Sequence, residues 1–149
     1  VVGKVGWGTN LRETRLTPDE QYTHITLWTI LASNMLIGCD IAQMDDFTLN
    51  LLCNNEVNAI NQDMLGKQAD RVLKDGDIEV WSRPLADGSI AVGIFNVGEK
   101  DHQVDMKALI PIKVPAKVIH DVWRQNNLSA DELKCTIPLH GCRYLKVRF

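Results

Sequence analysis

The sequence predicts an α+β chain in two parts: a helix–strand–helix segment over residues 1–66, then an antiparallel all-β sandwich over residues 67–149. Two observations carry this reading. Apolar residues recur at helical spacing in the first part, and from about Lys67 short strand-like runs are separated by turn dipeptides. A third is composition: 149 residues, 45% hydrophobic and 23% charged, is ordinary for a globular chain with one good core or two small ones.

The first helix is predicted from its start signal. Thr17-Pro18-Asp19-Glu20 combines an N-cap, a proline at the first helical position and a Glu that can reach back to the cap. Tyr22, Ile25, Trp28 and Leu31/Ala32 follow at helical spacing, with Leu27 widening the stripe, so the helix is expected to be largely buried up to about Ser33. Met35-Leu36-Ile37-Gly38-Cys39, ending in Asp40, reads as a strand covered on both faces. Asp45 or Asp46 then caps a second helix running to about Cys53.

Beyond the boundary at Gln62–Lys67, turns are expected at Asp75-Gly76, Asp87-Gly88, Val97-Gly98 and His140-Gly141. The intervening strands are predicted near 70–74, 78–83, 89–96, 102–107, 117–123, 133–137 and 143–149. In the last, Leu145, Val147 and Phe149 alternate with Tyr144, Lys146 and Arg148, the pattern of a strand with one wet face. Seven short strands at this spacing argue a sandwich.

The net charge of −3 is small and the basic residues are scattered, which argues against a nucleic-acid partner. The longest apolar stretch, Leu27–Cys39, is interrupted by Thr29, Ser33 and Asn34 and falls short of a membrane span. The sequence opens on Val1-Val2-Gly3-Lys4, with neither an initiator Met nor a signal peptide, and is expected to derive from a longer chain. Cys39, Cys53, Cys135 and Cys142 match no common zinc spacing, so no metal is expected; buried thiols are the simpler reading, and a Cys135–Cys142 bridge across adjacent strands stays open.

Several phrases, in order, resemble the glycoside hydrolase family 27 α-galactosidases, or melibiases. They are Tyr22-Thr23-His24-Ile25-Thr26-Leu27-Trp28, Met35-Leu36-Ile37-Gly38-Cys39-Asp40-Ile41, and Val57-Asn58-Ala59-Ile60-Asn61-Gln62-Asp63-Met64-Leu65-Gly66-Lys67-Gln68. The order continues with Ile78-Glu79-Val80-Trp81-Ser82-Arg83-Pro84-Leu85, Ala91-Val92-Gly93-Ile94-Phe95-Asn96, Asp121-Val122-Trp123-Arg124 and Ile137-Pro138-Leu139-His140-Gly141. The resemblance implies that residues 1–66 are loop 7, helix 7, strand 8 and helix 8 of a catalytic (β/α)8 barrel, and that residues 67–149 are the Greek-key-like β-sandwich domain behind it. It also implies an α-galactoside substrate, a secreted or periplasmic parent, and no cofactor, because glycoside hydrolysis with retention needs only two carboxylates. In the family these are aspartates on the fourth and sixth barrel strands, upstream of Val1, so no catalytic residue is carried onto this sequence and the isolated chain is expected to be inactive.

Two residues are candidates for the substrate rim. Trp7, between Gly6 and Gly8 in the opening loop, can stack on a sugar face or simply pin the loop. Asp40 follows the predicted strand at the end that would face a barrel's active site, with structural hydrogen bonding as its alternative. The neighbours Asp45-Asp46 and Asp131-Glu132 cannot face one site as a catalytic pair. His140 beside Cys142 lacks the third orienting group of a nucleophilic catalyst and reads as a turn; His24 reads as a hydrogen-bonded core residue. A different class of function, a stand-alone carbohydrate-binding module using Trp81 or Trp123, competes with a structural role for those rings. Within the enzyme class, α-N-acetylgalactosaminidase and β-L-arabinopyranosidase share the architecture. Apolar helix stripes without their barrel are expected to make the chain self-associate.

Overall fold

The computed structural model describes residues 2–6, 8–112 and 114–149. Helix α1 spans Pro18–Ile30 and starts as its signal predicts: the Glu20 N–H donates to Thr17 Oγ1 at 3.3 Å and the Thr17 N–H to Glu20 Oε2 at 2.7 Å. Helix α2 spans Asp46–Leu52, capped by Asp45, whose carboxylate accepts the Thr48 N–H at 2.8 Å. Helix α3, Asn55–Asn61, is capped by Asn54. A short hairpin, β1 (Lys4–Val5) with β2 (Arg12–Glu13), precedes them.

The β part holds eight further strands: β3 (Asp70–Asp75), β4 (Ile78–Pro84), β5 (Ile90–Asn96), β6 (His102–Asp105), β7 (Val118–Asp121), β8 (Asn126–Asn127), β9 (Lys134–Ile137) and β10 (Cys142–Arg148). Six form one antiparallel sheet in the order β3-β4-β5-β10-β7-β8, while β6 and β9 form a separate ribbon. The β3–β4 turn closes on Gly76 at φ +55, a left-handed conformation in which glycine carries no Cβ penalty. Strand β6 stops at Asp105, because that side chain accepts the Lys107 N–H and caps a four-residue helix, α4 (Met106–Leu109).

The central strands of the large sheet are buried on both faces, which makes two cores, while β3 at its edge is exposed along its length. Val80, Val92, Ile94, Leu145 and Val147 face the ribbon side with Met106, Ile110 and Ile137. Ala91, Leu85, Val122 and Tyr144 face the helices, meeting Ile25, Ile30, Val57 and Ile60. The expected wet face of the last strand is therefore dry at Tyr144, because α1 lies on it.

Helix α1 also buries a different stripe from the apolar one. Gln21, Ile25, Thr26, Thr29 and Ile30 face inward, while Trp28 is exposed. The apolar helix–sheet seam also carries buried polar groups, and its threonines are satisfied there: the Trp123 indole N–H donates to Thr26 Oγ1 at 2.8 Å, Thr29 bonds the Tyr144 hydroxyl at 3.3 Å, and Arg83 Nη1 donates to the Thr29 carbonyl at 3.3 Å.

The predicted strand at Met35–Cys39 does not form. The run is irregular, with Leu36 88% and Ile37 56% exposed. Its backbone finds no neighbouring strand among the described residues, and a strand exists only as part of a ladder.

Candidate functional site

The opening loop and the stretch after Met35–Cys39 meet in a polar cluster. The Asp40 N–H donates to the Lys4 carbonyl at 3.0 Å, and Lys4 Nζ lies 3.2 Å from Gln43 Oε1 and 3.8 Å from Glu13. Gly3, at φ +68, allows this approach: a Cβ there would come within 2.9 Å of Thr48 Cγ2. The cluster lines a cavity of about 440 Å³ with Lys4, Glu13, Gln43 and Asp45 on its walls. Asp45 is held below the usual carboxylate range by its hydrogen bonds to Thr48.

Asp40 sits beside this cavity as the cap of a 3₁₀ turn, Ile41–Gln43. One carboxylate oxygen accepts the Ala42 N–H at 2.9 Å and the other the Gln43 side-chain amide at 3.1 Å. Trp7, the other rim candidate, lies outside the described residues. The remaining acidic pairs are committed locally: Asp45 caps α2, and Glu132 accepts from both the N–H and the hydroxyl of Ser129.

The histidines engage partners that sequence reasoning missed. His140 Nδ1 lies 3.0 Å from Glu20 and its Nε2 3.3 Å from Glu99, and these carboxylates raise its pKa. His120 bridges Glu56 at 2.6 Å and Asn127 at 2.8 Å. All three acidic partners are far away in sequence, so no local spacing could have revealed them. His24 is half-buried with its ring 5.8 Å from that of Trp28, and desolvation lowers its pKa. Cys142 is hydrogen-bonded to Thr26 at 3.4 Å, and burial pushes its thiol up to about 11, so it lacks the lowered pKa of a nucleophilic thiolate. All four cysteines are free; Cys135 lies on β9, which pairs with β6 rather than β10, so the Cys135–Cys142 bridge does not form. Among the described residues no group of His, Cys, Asp and Glu could hold a metal, and no helix is long and apolar enough to cross a membrane.

Beside the polar cluster runs an apolar groove of about 200 Å³, lined by His24, Trp28, Leu36, Ile37 and Leu52. Trp81 and Trp123 are not free platforms: both pack partly buried against the helix-side core, and the Trp81 indole donates to Glu79 at 3.2 Å.

Residues 75–147 match the family described as the α-galactosidase C-terminal β-sandwich domain. The chain belongs to glycoside hydrolase family 27, in the C-terminal portion of its α-galactosidases. It is 35% identical over 132 residues to α-galactosidase 2 of Arabidopsis thaliana, covering 86% of this chain and 33% of that protein. It is 40% identical over 145 residues to α-galactosidase A of Cellvibrio japonicus, covering 89% of this chain and 36% of that one. Among solved structures, the family 27 β-L-arabinopyranosidase of Geobacillus stearothermophilus superposes with a TM-score of 0.85 at 30% identity, over 99% of this chain and 35% of the other. The melibiase-like chain thus spans about a third of the length of the relatives it matches.

Proposed function

We propose that this chain is the C-terminal part of a retaining α-galactosidase that removes terminal α-linked galactose from oligosaccharides or glycans. Residues 1–66 are the last loop, helix, strand and helical segment of its catalytic barrel, and residues 67–149 are the β-sandwich domain behind it. The observation that carries this reading is the Met35–Cys39 run. It has the composition of a strand buried on both faces, lacks any ladder, and leaves Leu36 and Ile37 exposed beside an apolar groove. A segment made to pair with parallel neighbours has this character when they are missing.

In this reading the nucleophile and the acid/base are supplied by other barrel strands, roughly 5–5.5 Å apart across the glycosidic bond. Trp7 and Asp40 stand at the rim, Asp40 shaping it through the turn it caps. The isolated chain is inactive, and its apolar groove drives self-association. The likeness to the Geobacillus enzyme favours one second reading, a β-L-arabinopyranoside substrate for the same architecture.

The test is hydrolysis of chromogenic α-galactoside and β-L-arabinopyranoside by the 149-residue chain and by a version extended upstream through the missing strands. Activity in the extended protein alone supports the proposal, and the preferred substrate separates the two readings. Turnover by the 149-residue chain itself would overturn it.

A further inference from the structure

The second layer of the sandwich is narrower than the first. Six strands make the large sheet, whereas β6 and β9 make a ribbon that pairs only His102–Asp105 with Lys134–Ile137. Toward the β7–β8 edge the ribbon gives way to α4 and to the coil after it, where Pro111 and Pro115 have no N–H to give to a ladder. Between this coil and strands β7 and β8 lies a cavity of about 850 Å³, within the range of small-molecule sites. It shares no residue with the polar cluster around Lys4 or with the apolar groove beside Trp28.

One wall is aliphatic. Ile110, Ile112, Ile119, Leu128 and Leu133 line the cavity, and all belong to or pack against the ribbon-side core, on the sheet face opposite the helices. Ile119 stands opposite Val147 in β10, and its carbonyl accepts the Leu128 N–H at 2.8 Å, so the sheet itself carries this wall. Ile112, Ile119, Leu128 and Leu133 are only partly buried and so can be reached from outside. No aromatic ring stands among the described lining residues.

The rim is cationic. Lys107, Lys117 and Lys134 line the same cavity and are exposed. Lys74 and Lys146 elsewhere pair with Glu79 at 3.2 Å and Asp87 at 2.7 Å, but none of the three rim ammonium groups has a hydrogen bond or ion pair among the described residues. Asp105 is the single acid among the described lining residues, and its carboxylate accepts the Lys107 N–H at 3.0 Å.

We propose that this cavity binds a free medium-chain alkyl carboxylate, its chain against the aliphatic wall and its head among Lys107, Lys117 and Lys134. Three cations against one carboxylate favour an anionic head, and ammonium groups on flexible stems meet a carboxylate without a fixed geometry. The methylene stems of the lysines continue the apolar surface up to the rim. Walls of Ile and Leu suit an alkyl chain; with no flat ring to stack on, they do not suit a sugar face.

The experiment is ligand-observed saturation-transfer NMR with octanoate, kept below its micelle-forming concentration. It is run on the 149-residue chain and on its Leu36→Glu, Ile37→Lys variant, which charges the other apolar groove. Saturable binding is expected in both, with acetate unable to compete and octanol binding about tenfold more weakly, as for the loss of three exposed charge pairs. A Lys107→Gln, Lys117→Gln, Lys134→Gln variant should bind octanoate weaker by about the same factor. The unmodified chain should also bind more weakly as salt is raised, a reading that depends on no variant folding. No saturable binding, binding lost in the Leu36→Glu, Ile37→Lys variant, or binding indifferent to both salt and the lysine substitutions would overturn the proposal. Competition by acetate, or octanol binding as tightly as octanoate, would do the same. Uptake of the chain by anionic phospholipid vesicles without octanoate binding would also overturn it, and would make the partner a membrane surface. Hydrolysis by the extended protein bears on none of these outcomes, so this site and the enzyme reading stand or fall separately.

Discussion

His140 joins the start of α1 to the β domain: its Nδ1 lies 3.0 Å from Glu20, the residue that closes the capping box on Thr17. The same loop offers its His140 carbonyl to the Thr23 hydroxyl at 2.7 Å, so two bonds fasten one turn of helix to one turn of sheet.

This pair makes stability depend on pH in a definite direction. The His140 pKa is raised by Glu20 and Glu99, so its contribution is fully present below the ordinary imidazole value and is lost as pH rises through the raised one. Glu20 is lowered, first by the Thr17 backbone, so its contribution is present above the ordinary carboxylate value and is lost as pH falls through the lowered one. Urea midpoints of the chain and of His140→Gln should differ most between those two values and converge above the raised imidazole pKa. Parallel curves at all pH would refute this.

Arg83 is wholly buried, with Nε and Nη2 unpartnered. Arg83→Met should therefore leave stability within about 1 kcal/mol of the parent or raise it, because a buried, under-satisfied cation is replaced by an apolar chain of similar length. Chemical denaturation decides this, and a loss of several kcal/mol would show that the bond to the Thr29 carbonyl matters more than the burden of the charge.

Thr17→Ala should cost about 1 kcal/mol, the usual worth of an N-cap, since it removes the acceptor for the Glu20 N–H. Thermal unfolding measures it, and an unchanged midpoint would mean the proline and Glu20 suffice.

Thiol labelling near neutral pH should find Cys53, which is exposed, reacting first and Cys142, whose thiol burial pushes up to about 11, reacting last. Mass spectrometry of a timed alkylation gives the order.

Sedimentation should show concentration-dependent association of the chain, relieved in a Leu36→Glu, Ile37→Lys double variant that charges the exposed run. A monodisperse parent at high concentration would contradict the role given to the apolar groove.

The legible parts of this fold are those set by neighbours in sequence. The capping box at Thr17, the Asp45 cap and the Asp75-Gly76 hairpin each declare themselves within four residues, and β4, β5 and β9 fall within a residue or two of their expected limits. What the pattern misjudged depends on distant partners. Thr26 and Thr29 are polar yet buried, because Trp123, Tyr144 and Arg83 meet them across more than fifty residues. Met35–Cys39 failed for the converse reason: its composition asks for neighbours that no described residue supplies. Of the rim candidates, Asp40 caps a 3₁₀ turn, the structural hydrogen-bonding role that its sequence reading held as the alternative.

Strand β10 lies between β5 and β7, contributes to both cores, and carries the Cys142 and Tyr144 groups that meet α1 from 116 and 115 residues away. The consequence concerns the order of events during synthesis. When α1 leaves the ribosome its docking surface has not yet been made, and it must wait until nearly the whole sequence has emerged.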